Sequence, residues 1–286
     1  MALISGSPRN SPSTELRDED FLFISNLIRT RFGINLTEHK RSLITGRLQG
    51  LLREMGLPDF QAYRLHLETS ACDKTLDELV NRISTNHTSF FREPEHFVFL
   101  RQTILPSLKF VREQTGGRDL RFWCAAASTG EEPYSIIITM LEYFGAEYAR
   151  WDAGLLATDI SARALETARA GIYPDERLRD IPEKLRKAYF TRISNGEWQV
   201  TERVRGEATL RRFNLMNESF PFRRPFDLIF CRNVMIYFDQ PTRQALVQRF
   251  ARFLEPGAYL LIGHSETIGR SNPDFTYVQP AVYRRK

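Results

Sequence analysis

Arg121-Phe-Trp-Cys-Ala-Ala-Ala-Ser-Thr-Gly-Glu-Glu132 is the stretch that decides the fold. An apolar run, Phe122 to Ala127, meets an abrupt polar corner, Ser128-Thr129-Gly130. Glu131 to Met140 follows, with Pro133 early and Ile136, Ile137 and Met140 at helical spacing. This order predicts a buried strand, a tight turn and a capped helix. Ser128 or Thr129 is the expected N-cap, acids belong in a first helical turn, and proline is tolerated there. Three small alanines allow close approach where the strand ends, and open α/β sheets bind cofactors at that edge. The three-glycine dinucleotide pattern is missing, which weighs against NAD.

The composition is that of a soluble globular protein: 26% charged and 42% hydrophobic residues over 286 positions, enough for one large or two modest domains. No apolar run approaches a membrane span. The start, Met1-Ala-Leu-Ile-Ser-Gly-Ser-Pro8, has no basic segment followed by a signal core, so a cytoplasmic location is expected. Cys72, Cys124 and Cys231 are too scattered for a disulfide framework, and the last two fall in strand-like runs as buried thiols. His39, His66, His87, His96 and His264 show no paired ligand spacing, and no metal is expected. The net charge of +5 fits an acidic protein surface or a nucleic acid and does not choose between them.

Residues 1–17, rich in Ser, Pro and Asn, are expected to be poorly ordered. Asp18 to Phe32 reads as a helix with Phe21, Leu22, Ile24, Leu27 and Ile28 on one face and Gly33 closing it. Thr37 is the expected cap of a second helix carrying Leu43, Ile44, Leu48, Leu51 and Leu52 and ending at Gly56. Phe60 to Leu67 and Leu76 to Ile83 read as two more helices. The result is a helical domain over 15–84. Lys40, Arg41, Arg47 and Arg53 interleave with the apolar positions of the second helix. They make either an ordinary solvated face or a basic docking surface for an acidic partner.

A linker and the first helix of a second domain occupy 85–116. Asn86-His-Thr-Ser-Phe-Phe-Arg-Glu-Pro94 is dense in hydrogen-bonding groups, with Arg92 suited to hold a carboxylate. Alternatively, Phe90 and Phe91 pack a domain junction and Asn86 and Thr88 are turn residues. His96 to Val111 is an amphipathic helix. The main domain, 117–286, continues with a second strand ending at Asp159, 29 residues beyond Gly130, where an acid takes ribose hydroxyls. Capping of the following helix, Ser161 to Ala170, is the plainer role for Asp159. A small antiparallel excursion is expected at about 190–212. Phe226 to Cys231 and Ala258 to Ile262 are further strands, and Phe275 to Tyr283 a final antiparallel pair. The fold class is therefore α/β: a Rossmann-like sheet, an N-terminal all-helical domain and a small inserted β-subdomain.

Polar residues cluster after successive strands: Ser128 to Glu132, Asp159, Asn214 and Asn233. A pyrophosphate would call for glycines or cations at the first turn, and Glu131 and Glu132 stand there instead. Acids at that corner favour a cationic or hydroxyl-bearing ligand. S-adenosylmethionine offers a ribose diol, a sulfonium, an amino group and one carboxylate, and this match ranks a methyltransferase above a dehydrogenase.

The chain also resembles a known family. Thr85 to Glu93, Trp123 to Ser135, Thr158-Asp159-Ile160, Ala168 to Tyr173, Phe226 to Asp239 and Gly263-His264-Ser265-Glu266 resemble segments of the bacterial chemotaxis receptor methyltransferases (CheR). The resemblance implies a S-adenosylmethionine-dependent methyltransferase sheet and transfer of a methyl group to glutamate side chains on the helical cytoplasmic bundle of chemoreceptors. The expected products are glutamate methyl esters and S-adenosylhomocysteine. It implies that Asn86, Thr88 and Arg92 join the cofactor site, Glu132 binds the amino-acid end and Asp159 the ribose. Asn214, Leu215, Arg232 and Asn233 surround the nucleoside, and Arg92 and Tyr237 border the reacting methyl. Whether Glu131 or Glu132 faces inward stays open.

The helical domain, through Lys40, Arg41, Arg47 and Arg53, is the implied dock for the acidic receptor bundle. Some family members tether to a receptor C-terminal peptide through a glycine-rich loop of the β-subdomain. Here Arg192-Ile-Ser-Asn-Gly-Glu-Trp198 holds one glycine, so recognition without a tether is expected. The competing readings are a methyltransferase for another substrate and a non-catalytic S-adenosylmethionine-binding signalling module. Nucleic acid and membrane insertion are not expected.

Overall fold

A computed structural model describes residues 15–69, 73–84, 87–194 and 196–286. The expectations for residues 1–14, Cys72, Asn86 and Asn195 lie outside the described residues. The chain divides into two units, Met1–Ser84 and Thr85–Lys286.

The first unit is helical: α1 (Asp18–Phe32), a 3-10 turn (Glu38–Lys40), α2 (Arg41–Met55), α3 (Phe60–Thr69) and α4 (Asp73–Ile83). Phe21, Ile24, Ile28 and Phe32 form the buried stripe of α1, at the spacing a helix requires. Leu22 and Leu43, expected inward, are 57% and 51% exposed, because each falls one position off its helix's stripe. Gly33 and Gly56 end α1 and α2 in the left-handed region, at φ 72° and 67°. Thr37 precedes the 3-10 turn but makes no side-chain cap. Asp59 does cap, accepting the Ala62 N–H at 2.8 Å. Buried Asp20 is paired with Arg17 and Arg64 at 3.2 and 3.4 Å.

The basic candidates Arg41 and Arg47 of α2 are engaged within this unit. Arg41 donates to the Leu16 carbonyl at 2.7 Å and to Asp18 at 2.6 Å, and its guanidinium lies over the Phe21 ring. Arg47 donates to the Ile83 carbonyl at 2.5 Å, satisfying an orphan acceptor at the end of α4. Arg53 is exposed, and Lys40 is half-buried.

The second unit is built on a seven-stranded sheet. Its helices and strands, in order, are α5 (Glu95–Phe99), a π-helical stretch (Leu100–Ile104), α6 (Leu105–Gln114), β1 (Asp119–Ala125), α7 (Glu131–Phe144), β2 (Asp152–Asp159), α8 (Ala162–Ala170), β3 (Ile172–Pro174), α9 (Glu183–Tyr189), β4 (Phe190–Ser194), β5 (Glu197–Val200), α10 (Glu202–Arg205), β6 (Ala208–Arg212), β7 (Phe226–Cys231), α11 (Gln240–Arg252), β8 (Leu254–Ile262), β9 (Phe275–Gln279) and β10 (Val282–Arg285). The sheet order is β6-β2-β1-β7-β8-β10-β9. The first five strands run parallel, and β10 and β9 close the edge antiparallel. All five parallel strands therefore end on one edge. The chain winds from β1 outward to β2 and β6, then crosses to β7 and β8, so the topological switch lies between β1 and β7.

The residues of the central strands explain their place. The last four residues of β1 and all of β7 are buried, as strands covered on both faces must be. Trp123 is fully buried among Phe213, Phe220, Phe222, Phe226 and Phe250, and its indole N–H donates to Thr158 Oγ at 2.9 Å. That bond ties β1 to β2 one residue before Asp159. Pro106 lacks the N–H that would continue an α-helix there. The helix widens before it, with the Leu105 N–H donating to the Leu100 carbonyl five residues back.

The small antiparallel sheet has the order β3-β5-β4. It begins at Ile172, earlier than the expected 190–212, and β6 belongs to the main sheet as the parallel partner of β2. Local alternation in the sequence cannot separate these two pairings, since the partner strands lie tens of residues away.

Candidate functional site

The corner after β1 is built by backbone strain and one acid. Ala126, Ser128 and Gly130 have φ of 144°, 48° and 102°. Gly130, not Ser128 or Thr129, is the N-cap of α7, and no side chain caps it. A Cβ at Gly130 would sit 2.7 Å from Tyr173 Oη and 2.9 Å from Ala168 Cβ, so the close approach of α8 requires glycine. The Ser128 N–H donates to Asp159 Oδ2 at 2.8 Å, and the Ser161 N–H donates to Oδ1 at 2.8 Å. Burial pushes the Asp159 carboxyl up, while the N–H groups of Ser161, Ser128 and Ile160 pull it down. The plainer capping role belongs instead to Ser161, whose hydroxyl accepts the Ala164 N–H at 3.0 Å. Asp159 thus joins the ends of β1 and β2.

Glu131 and Glu132, adjacent on a helix, point about 100° apart. Glu131 takes the Thr129 hydroxyl at 2.6 Å and faces Arg177 at 3.3 Å. Arg177 also donates to the Thr88 carbonyl at 2.7 Å. Glu132 faces the switch between β1 and β7. Its Oε2 accepts from Arg232 at 2.7 Å and its Oε1 from the Cys124 thiol at 3.3 Å. Burial raises the Glu132 carboxyl above its ordinary value, opposed by the charges of Arg232 and Arg92.

The segment before α5 is fastened over this corner. Phe91 and Glu93 adopt φ of 52° and 57°. Phe90 packs edge-on against Tyr173 and Phe190 at 5.0 and 5.2 Å, and the Phe91 N–H donates to Ser135 Oγ at 2.9 Å. Phe90 thus packs within the second unit, and Arg92 is half-buried with one N–H on the His87 carbonyl at 2.8 Å.

Arg232 stands behind the site. It is buried and donates to Glu132, to Glu93 at 2.8 Å and to the Arg92 carbonyl at 2.6 Å. It forms a strut between the end of β7, α7 and the 92–93 segment. Glu93 had drawn no role from the sequence. Besides Arg232 it accepts Asn233 Nδ2 at 3.3 Å and the His264 N–H at 3.2 Å. Burial pushes Glu93 up, and these donors outweigh it, leaving the carboxyl below its usual range.

The remaining candidates follow the other strand ends. The Phe213 N–H donates to the Asp159 carbonyl at 3.0 Å, which holds Asn214-Leu215 beside Asp159. Asn214 Oδ1 accepts the Met216 N–H at 2.9 Å, and Leu215 is buried. Asn233 sits at φ 58°, and Tyr237 ends a 3-10 turn, Met235–Tyr237, half-buried. Thr88 is buried.

Among the described residues one trio, Glu93, His96 and His264, brings possible metal ligands within 4.8 Å of one another. Arg232 already neutralises Glu93 there, so a divalent cation would compete with a guanidinium 2.8 Å from the carboxylate. Cys124 and Cys231 are buried free thiols.

The profile described as "CheR methyltransferase, SAM binding domain" matches residues 86–283, and "CheR methyltransferase, all-alpha domain" matches 19–84. The chain belongs to the CheR methyltransferase family. Chemotaxis protein methyltransferases of Borreliella burgdorferi and Escherichia coli are 44% and 40% identical to it. The first alignment covers 91% of each chain, and the second 94% of this chain and 91% of its relative. Chemotaxis protein methyltransferase 1 of Pseudomonas aeruginosa is 32% identical over 93% of this chain and 98% of its own.

The geometry fits the SAM (S-adenosylmethionine) that a CheR domain binds. Among the described residues, Ser128 Oγ is buried without a hydrogen-bond partner beside Asp159, and Asp159 keeps acceptor capacity beyond its backbone bonds. A ribose diol can use both. The acids at the start of α7 suit an amino group and would repel a pyrophosphate.

Proposed function

We propose that this protein transfers the methyl group of SAM to glutamate side chains in the cytoplasmic helical bundle of chemoreceptors. Glutamate methyl esters and S-adenosylhomocysteine are the products. The observation that carries this is the match along most of the chain: the two CheR domains follow in order over 19–84 and 86–283.

When bound, SAM supplies a methyl on a cationic sulfur. Asp159 would take the ribose hydroxyls, and Glu132 the amino group. Arg92 would meet the carboxylate, and Asn214, Leu215 and Asn233 would flank the nucleoside. Asn86 and Thr88 join from the linker in the same reading. Arg232 acts through Glu132 and the Arg92 backbone rather than by contact. No general base is required, since a glutamate with a reference pKa of ~4.3 is ionised near neutrality. Carboxylate and sulfonium neutralise one another during transfer, so the site's work is alignment and exclusion of water. Arg92 and Tyr237 orient the incoming carboxylate.

In the helical unit, Lys40, Arg41, Arg47 and Arg53 are the basic residues we assign to receptor docking. Arg41 and Arg47 also hold the unit together. Gly196 is the one glycine of residues 192–198, which supports recognition without a C-terminal tether. The protein would act in the cytoplasm at receptor arrays. Among the described residues no helix is long and apolar enough to cross a membrane.

Incubation with labelled SAM and a receptor cytoplasmic fragment tests the reading. Label should enter the fragment and be released as methanol by alkali. A fragment left unlabelled, or label stable to alkali, would refute glutamate esterification.

A further inference from the structure

We propose that Glu266 is a positioning residue for this reaction, one that shapes the turn carrying Asn233 and Tyr237. The inference rests on the methyl-transfer reading and deepens it. The residue lies in the loop after β8, four positions past Ile262, and is buried. Its Oε2 accepts the Asn233 N–H at 2.9 Å and the Gly263 N–H at 2.6 Å. Its Oε1 accepts the Ile236 N–H at 3.1 Å. The Met235 N–H is a further donor to the carboxylate. The Glu266 N–H closes the loop on the Gly263 carbonyl at 2.9 Å.

Backbone N–H groups that converge where the chain passes through the left-handed region form an anion nest. Here the left-handed residue is Asn233, at φ 58°. The nest faces the interior, and buried N–H groups must be paired. Glu266 supplies that pairing from within the chain, and its two oxygens fix the path of residues 233–236. The path sets where the Asn233 side chain and the Tyr237 ring stand at the cofactor edge. On the other side, Glu93 holds Asn233 Nδ2. Gly263 completes the fit: a Cβ there would lie 2.5 Å from Asn233 Nδ2 and 2.9 Å from its backbone N. Two acids, Glu93 and Glu266, thus grip one residue by its side chain and its backbone.

Glu266→Gln exchanges one acceptor oxygen for an amide donor, so in either orientation an N–H of the turn loses its partner. Glu266→Asp keeps both acceptors on a shorter arm. The expected result for Glu266→Gln is a fall in kcat of at least tenfold and SAM affinity weaker by a similar factor. KM for the receptor fragment should be unchanged, and Glu266→Asp should restore part of kcat. Combined with Tyr237→Phe, the losses should be less than multiplicative, since both changes act through one turn. A kcat and SAM affinity within twofold of the parent in folded Glu266→Gln would overturn the assignment, as would fully multiplicative losses. If Glu266→Gln does not fold, Glu266→Asp carries the same comparison against Tyr237→Phe. A parent protein that labels no receptor counts against the transfer reading alone. SAM affinity then decides for Glu266, and an unchanged value overturns it.

Discussion

Arg232 reaches from the end of β7 to Glu132 in the first turn of α7, closing a 2.7 Å ion pair across 100 residues of sequence. The same guanidinium holds Glu93 and the Arg92 carbonyl. One buried cation therefore ties the linker, the first helix after β1 and the switch strand into a single cofactor edge.

Removing that cation leaves two acids in the interior without their ion-pair partner. Arg232→Met should cost about 3–5 kcal/mol, because breaking a buried pair strands the remaining charge. The thermal midpoint should fall by roughly ten degrees for a domain of this size. Differential scanning calorimetry checks it, and an unchanged midpoint would mean that Glu132 and Glu93 do not depend on Arg232.

Asp159→Ala should weaken SAM binding by about 10- to 100-fold, or ~1.4–2.8 kcal/mol. The loss should shrink for an analogue lacking the ribose hydroxyls. Isothermal titration with both ligands reads this directly, and equal losses for the two would assign Asp159 to shaping the corner instead.

Gly263→Ala should displace Asn233, since the new methyl would stand 2.5 Å from its amide. Overpacking of this kind costs typically about 1–3 kcal/mol. We expect weaker SAM binding together with reduced stability by chemical denaturation. Full affinity would show that Asn233 lies outside the cofactor's reach.

His96 makes stability depend on pH. It is fully buried, and neither ring nitrogen has a hydrogen-bond partner among the described residues. Burial, helped by the charge of Arg232, pushes its pKa down to about 3 from 6.5. The folded state keeps the ring neutral while the unfolded chain protonates it below about pH 6.5. The unfolded state then binds more protons, so stability falls as pH drops from 6.5 toward 3, by at most ~1.4 kcal/mol per pH unit from this group. Urea unfolding of His96→Phe between pH 7 and 5 should show a flatter profile than the parent. Parallel profiles would remove His96 from the balance.

Much of this edge is legible in the sequence because strand ends announce themselves. The apolar runs stop at Ser128, Asp159, Arg232 and Gly263, and parallel strands deliver those ends together. What stays hidden is which polar group faces which. The strut that Arg232 makes to Glu132 and Glu93 is invisible in the sequence, because these partners lie 100 and 139 residues away. Glu93 gives no periodic signal. Glu266 has the signal that made Asp159 visible, an acid soon after a strand, and its purpose appears once the left-handed Asn233 is placed beside it. The N-cap of α7 went to Gly130 over Ser128 and Thr129 because helix packing at that corner leaves no room for a Cβ.

The central claim is esterification of receptor glutamates, and mass-spectrometric mapping of a receptor cytoplasmic fragment after reaction with SAM tests it most directly. The expected result is one added methyl per modified peptide, placed on glutamate side chains and abolished at each site by Glu→Gln in the receptor. Methyl groups on other side chains, or an unmodified fragment while SAM is bound, would contradict it.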